Sequence, residues 1–347
     1  MSRTVYQQRM LAGLACCLAL LLVTGLLENA QAEPTTLTIS VPGPGTALFL
    51  PVELITRIGA DKDEGMQLKI KYAGSGVLAL NNLMNRNVDF AMAGLPAAMS
   101  MRSRGSKVVA IAAAGHLSQW ALIVRADLKS RVHKISDLKG LRLGLSSSTP
   151  SSRATGQQFM ELLMKSEGMS LDDVRMISAG LSWEENSSIL RAGGVDAILT
   201  DLTFASRMVA EGRAYSLTNF GDSTVNNRIP GSQYLHATLN TREDLIAQQP
   251  HLAEKMVSIL RRTLVWMKNH TPEQIVGQMH IADEHERKAL LSILQANSNM
   301  YSPDGRFSDA QMKDTEAFFR NANKDDPAAQ KLKVNSMIDE RWAGVKP

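Results

Sequence analysis

Residues 66–94 read MQLKIKYAGSGVLALNNLMNRNVDFAMAG. The first seven alternate polar and apolar side chains, the period of a strand with one buried face. Gly74, Ser75 and Gly76 break that alternation. Residues 77–85 then place Val77, Leu80 and Met84 at helical spacing. Residues 88–93 are almost wholly apolar and stop at Gly94, as a strand buried on both faces does. Strand, glycine turn, helix and buried strand in succession predict a parallel sheet covered by helices.

The same rhythm extends in both directions. Residues 36–41 alternate and are β-branched, which predicts a strand. Gly43, Pro44 and Gly45 break it, and a helix is expected over 47–58. Residues 96–102 start another helix and 108–114 another strand. Further strands are expected at 121–124, 141–145, 172–177, 195–200 and 214–218, with helices at 154–167, 184–192 and 204–211 between them. A last strand is expected at 234–239, and the chain beyond it reads as helical. The fold class is α/β.

The N-terminus carries a different message. Arg3 and Arg9 precede an apolar run over 11–27, and Ala30-Gln31-Ala32 follows it. Positive, apolar and small-residue segments in that order predict a secretory signal peptide over 1–32. The run is 17 residues long, the lower edge of what spans a bilayer. Cleavage after Ala32 removes 32 of the 347 residues and leaves 315. It also removes Cys16 and Cys17, the whole cysteine content, and with them disulfides, thiolate metal sites and cysteine nucleophiles. The loss of Arg3, Arg9 and Glu28 lowers the net charge from +4 to +3. So small a charge, without like-charge blocks, leaves no footprint for nucleic acid. A chain of this size is expected to form two compact lobes rather than one core.

Parallel sheets bind ligands where loops leave the C-terminal strand ends. Here those loops are rich in glycine and hydroxyls, and each opens a helix. They contain Thr46, Ser75 with Gly76, Leu95, and Ser147-Ser148-Thr149. Helix N-termini leave amides unpaired and favour anions. Arg153 follows the serine loop and is placed to complete an anion site as a bidentate donor; the other reading caps the helix with serines and leaves Arg153 solvated. His116 and Gln119 sit at a further strand end, and Trp183 follows another, where it suits a flat or apolar ligand portion. Asp201 ends the run VDAILT and serves either a ligand amine or the cap of the next helix.

Three stretches carry a family resemblance. The first runs from Gly74-Ser75-Gly76 to Asn85-Arg86-Asn87-Val88-Asp89-Phe90-Ala91. The second is Ile135-Ser136-Asp137-Leu138-Lys139-Gly140 with Leu143-Gly144-Leu145-Ser146. The third is Leu190-Arg191-Ala192-Gly193-Gly194-Val195-Asp196-Ala197 with Phe204-Ala205. In this order and spacing the chain resembles periplasmic substrate-binding proteins of the nitrate, sulfonate and taurine type, the soluble subunits of ABC importers. The resemblance implies a two-lobed type 2 periplasmic-binding fold with lobe 1 over 33–122 and 238–347, lobe 2 over 123–237, and strand crossings near 122–125 and 236–239. It further implies a monomer in the periplasm that takes up a small-molecule solute between the lobes, closes about a hinge and meets an inner-membrane permease.

Two other classes of function compete. Enzymes of a related pyrimidine-synthase group share this fold but depend on a cysteine-rich motif and iron, and the cleaved chain has no cysteine. No G-x-S-x-G elbow occurs. His280 and His285 lack the spacing of a zinc helix. No metal or cofactor is expected, and catalysis is not. A sensory domain would need a signalling partner domain, and residues 334–347 are too short for one. The loops favour a small organic anion of sulfonate, nitrate or carboxylate type, with a pyrimidine or other heterocycle as the alternative.

Overall fold

The computed structural model describes residues 35–116, 118–146, 152–222, 225, 229, 231–297 and 299–344. The chain forms β1 (Thr35–Val41), β2 (Met66–Tyr72), β3 (Phe90–Ala93) and β4 (Val108–Gly115), then β5 (Trp120–Arg125), β6 (Arg142–Leu145), β7 (Arg175–Ser178), β8 (Ala197–Asp201) and β9 (Ala214–Asn219), and finally β10 (Ala237–Arg242). Two five-stranded sheets result, ordered β2-β1-β3-β10-β4 and β7-β6-β8-β5-β9. The signal-peptide stretch over 1–32 lies outside the described residues.

The two sheets are built on one plan. β1 runs parallel to β3, with Ile39 opposite Phe90. β6 runs parallel to β8, with Leu143 opposite Ala197. The fourth strand of each is a visitor that runs antiparallel to both neighbours: β10 in the first sheet and β5 in the second. An aspartate enters the third strand of each by the same hydrogen bonds. Asp89 donates its N–H to the Thr38 carbonyl (3.1 Å), and its carboxylate accepts from Thr38 N (2.9 Å). Asp196 donates to the Arg142 carbonyl (2.8 Å) and accepts from Arg142 N (2.9 Å). The two Val-Asp motifs therefore clamp the third strand of each sheet to its parallel neighbour, β1 or β6.

Strands β3 and β4 are buried along their whole length, as strands with helices on both faces must be. β10 is buried too, although it carries Thr238, Asn240 and Thr241. Its polar groups turn to the β3 backbone: Thr238 Oγ1 donates to Ala93 O, Asn240 Nδ2 to Ala91 O and Thr241 Oγ1 to Asp89 O. This pairing explains why the return strand lies at Ala237–Arg242 rather than 234–239. Tyr234 and Leu235 are fully buried, but in the connection before the strand.

The outward crossing also differs from its expected position. The chain leaves the first sheet at Gly115 and enters the second at Trp120, so the crossing precedes β5. Residues 122–125 lie inside β5, held between β8 and β9. The C-terminal helices, expected with the first lobe, touch both lobes. Helix Glu284–Ala296 packs on helix Leu202–Ala210 of the second. Helix Asp309–Ala322 packs on Leu95–Ser103 of the first and on Thr155–Ser166 of the second. No helix among the described residues is long and apolar enough to cross a membrane.

Candidate functional site

The C-terminal ends of both sheets face a small cavity of about 30 Å³. Pro42, Leu48 and Phe49 follow β1, Gly94 follows β3, and Gly76 opens helix Gly76–Met84. From the second lobe come Trp120 at the start of β5, Ser146 after β6, Leu181 after β7, and Ala154, Thr155 and Gly156 at the head of helix Thr155–Ser166. Tyr234 and His236 close the wall from the return crossing. Among the described residues no charged side chain lines it.

Backbone approaches this close need glycine. A Cβ at Gly43 would stand 1.7 Å from the Leu181 carbonyl oxygen, and one at Gly94 would stand 2.6 Å from Thr155 Oγ1. Two carboxylates, one from each lobe, hold the same loop over 43–49. Glu53 accepts from Gly45 N (3.0 Å). Asp201 accepts from Ala47 N (3.4 Å) and from Thr203 N (2.8 Å), which caps its own helix. Burial raises the Glu53 carboxyl to about 7, and burial raises Asp201 to about 6.

Within this frame the residues singled out from sequence fall in different places. Gly76 lines the cavity. Ser75 is the cap of its helix, accepting from Leu78 N (3.2 Å). Asp201 likewise caps. Leu95 and Gln119 are buried, and the Gln119 carbonyl accepts from Leu202 N (2.8 Å). Thr46 is buried, and its hydroxyl has no hydrogen-bond partner. His116 lines a different cavity of about 620 Å³, among the C-terminal helices. Trp183 lies under the Arg207 guanidinium, 3.7 Å from it, and beside Phe204. Ser147, Ser148 and Thr149 lie outside the described residues.

The Arg153 side chain is engaged by groups of the protein itself. It pairs with Glu161 (2.7 Å), donates to Asn323 Oδ1 (3.0 Å) and also donates to the Ala322 carbonyl. Its backbone is left-handed, at φ +50°, which turns the side chain towards the C-terminal helix.

His236, Tyr234, Thr155 and Phe49 escape a reading of the sequence. The Thr155 hydroxyl and His236 Nδ1 are buried without a hydrogen-bond partner among the described residues, a condition native proteins rarely leave unexplained. Tyr234 is pinned by Trp120 Nε1 (3.3 Å) and stacks on His236. Among the described residues no cluster of three or more His, Cys, Asp or Glu side chains could hold a metal.

A family model described as NMT1/THI5 like matches residues 62–275, more than half of the chain. No curated protein matches it in sequence. Among solved structures, the alkanesulfonate-binding protein SsuA from Xanthomonas axonopodis pv. citri is similar over 89% of this chain and 99% of its own, with a TM-score of 0.70 and 14% identity. The periplasmic nitrate-binding protein NrtA from Synechocystis PCC 6803 is similar over 88% and 86%, at 0.64 and 12%. The desulfurization enzyme DszB is similar over 89% and 97%, at 0.57 and 17%. At these identities the likeness is one of fold, so a binding protein and an enzyme stand side by side. The motif resemblance, the shared two-lobed architecture and the span of the family model together show that the chain has the periplasmic-binding-protein fold and belongs to the NMT1/THI5-like family.

Proposed function

We propose that the chain is a periplasmic solute-binding protein that captures a small organic anion between its lobes and delivers it to the membrane permease of an ABC importer. One observation carries this reading. The heads of three helices, Gly76–Met84, Leu95–Ser103 and Thr155–Ser166, converge on a cavity lined by no charged side chain among the described residues. Amides and helix dipoles aimed at one point favour an anion without a neutralising cation. The unpartnered Thr155 hydroxyl offers one more hydrogen bond there. The signal-peptide pattern supports export, and the alkanesulfonate- and nitrate-binding neighbours support transport of a small anion. The aromatic walls Phe49, Trp120 and Tyr234 favour a heterocycle as the second reading.

The test is a melting-temperature screen of the purified protein against alkanesulfonates, nitrate, small carboxylates and pyrimidines. A bound solute at 100 times its Kd adds about 2.7 kcal/mol, a plain upward shift. A shift confined to anions supports the proposal, and one confined to pyrimidines selects the heterocycle. No shift with any class counts against solute capture.

A further inference from the structure

His236 is 2% exposed and forms part of the cavity wall. Its Nε2 lies 3.1 Å from the Ser232 carbonyl oxygen. A carbonyl oxygen only accepts, so Nε2 carries the hydrogen. Burial pushes the imidazole down to about 3, so the ring is neutral near pH 7. Nδ1 is then a bare lone pair, and it is the nitrogen that finds no donor among the described residues. The ring cannot turn freely to relieve this, because its face is stacked on Tyr234 with centroids 3.8 Å apart.

A sulfonate, nitrate or carboxylate presents only acceptors. Placed against Nδ1 it would set lone pair against lone pair, whereas the helix heads and Thr155 meet it with donors. We infer that the solute carries a hydroxyl or N–H group that donates to Nδ1 of His236, making this residue the determinant that selects substituted solutes over plain ones of the same size and charge. The inference rests on the interlobe cavity being the solute site. It narrows the solute to a small molecule with an acceptor-rich end for the helix heads and a donor on the side facing the return crossing.

The experiment compares matched pairs by titration calorimetry: ethanesulfonate with 2-hydroxyethanesulfonate, propanoate with 2-hydroxypropanoate, and pyrimidine with 4-aminopyrimidine. The donor-bearing member of at least one pair should bind at least tenfold more tightly. The variant His236→Gln keeps an amide donor for Ser232 O but carries its acceptor, Oε1, at the end of the side chain and none at the Nδ1 position, and should shrink that gap to about threefold or less. Equal or tighter binding of the donor-free members overturns the inference while leaving solute capture intact. So does an undiminished gap in folded His236→Gln. Binding by no member of any pair removes the capture reading and this inference with it. The wild-type comparison decides the donor requirement even if the variant does not fold.

Discussion

Glu53 shows how one buried group sets a pH response. Its carboxyl is 7% exposed, and burial, opposed by Gly45 N–H and Arg57 and reinforced by Glu286 and Asp201, raises it from 4.5 to about 7. Between those values the folded protein holds a proton that the unfolded chain has released. Stability from this group is therefore full below about pH 4.5 and lost as pH rises through about 7, by roughly 3 kcal/mol for a shift of this size. Glu53→Gln keeps an acceptor for Gly45 N. It should flatten most of the fall in melting temperature between pH 5 and 8 and raise stability at pH 8 by about 2–3 kcal/mol. Asp201, raised to about 6, should leave a shallower slope. An unchanged pH profile in the variant would assign the fall elsewhere. Individual residues also differ in how far the sequence reveals them. Asp89 and Asp196 were legible because the same backbone bond recurs in both lobes and leaves the same Val-Asp pair behind. Arg153 was not, since its partners Ala322 and Asn323 are distant in sequence and met only through packing.

Elements were legible where a local pattern was enough. The alternation of residues 66–72 gave β2 with its bounds, and the glycine after it gave the turn. The visiting strands were harder. β5 is a continuous apolar run, so its periodicity says nothing about which sheet it joins, and the crossing was expected too late in the chain. The role of helix Glu284–Ala296 was also hidden. Arg207 of the second lobe binds Asp283 (2.7 Å) and Glu286 (3.3 Å) at the start of that helix, and also Glu211 (3.4 Å). Its side chain is only 11% exposed. Arg207→Ala would leave Asp283 and Glu286 without their shared cation, while Glu211 keeps Arg213 (2.6 Å), at a cost of about 3 kcal/mol. Denaturant midpoints should fall accordingly, and amides over 284–296 should exchange faster. Unchanged exchange there would mean that apolar packing alone holds the helix.

At the scale of the whole molecule, closure depends on glycine. Gly43 faces the Leu181 carbonyl so closely that Gly43→Ala cannot be accommodated without parting the lobes. The lobes themselves should stay folded. Solute affinity should fall tenfold or more, with the melting temperature of the ligand-free protein within a few degrees of wild type. Gly74→Ala is the control: its Cβ meets open space, and only the left-handed φ of +83° is strained, at about 1 kcal/mol. Equal affinity in Gly43→Ala and wild type would show that capture does not need this closed arrangement. The site was half legible for the same reason. Its glycine loops announce themselves, but the orphaned His236 and Thr155 exist only once both lobes have met.

The visiting strands also set an order of events. The second sheet draws all five strands from one unbroken stretch, β5 to β9, whereas the first needs β10 between β3 and β4. A chain made N-terminus first therefore cannot complete its first sheet until residue 242 has arrived. The half that begins the polypeptide is the half that finishes last, and until β10 arrives β3 and β4 each present an unpaired edge.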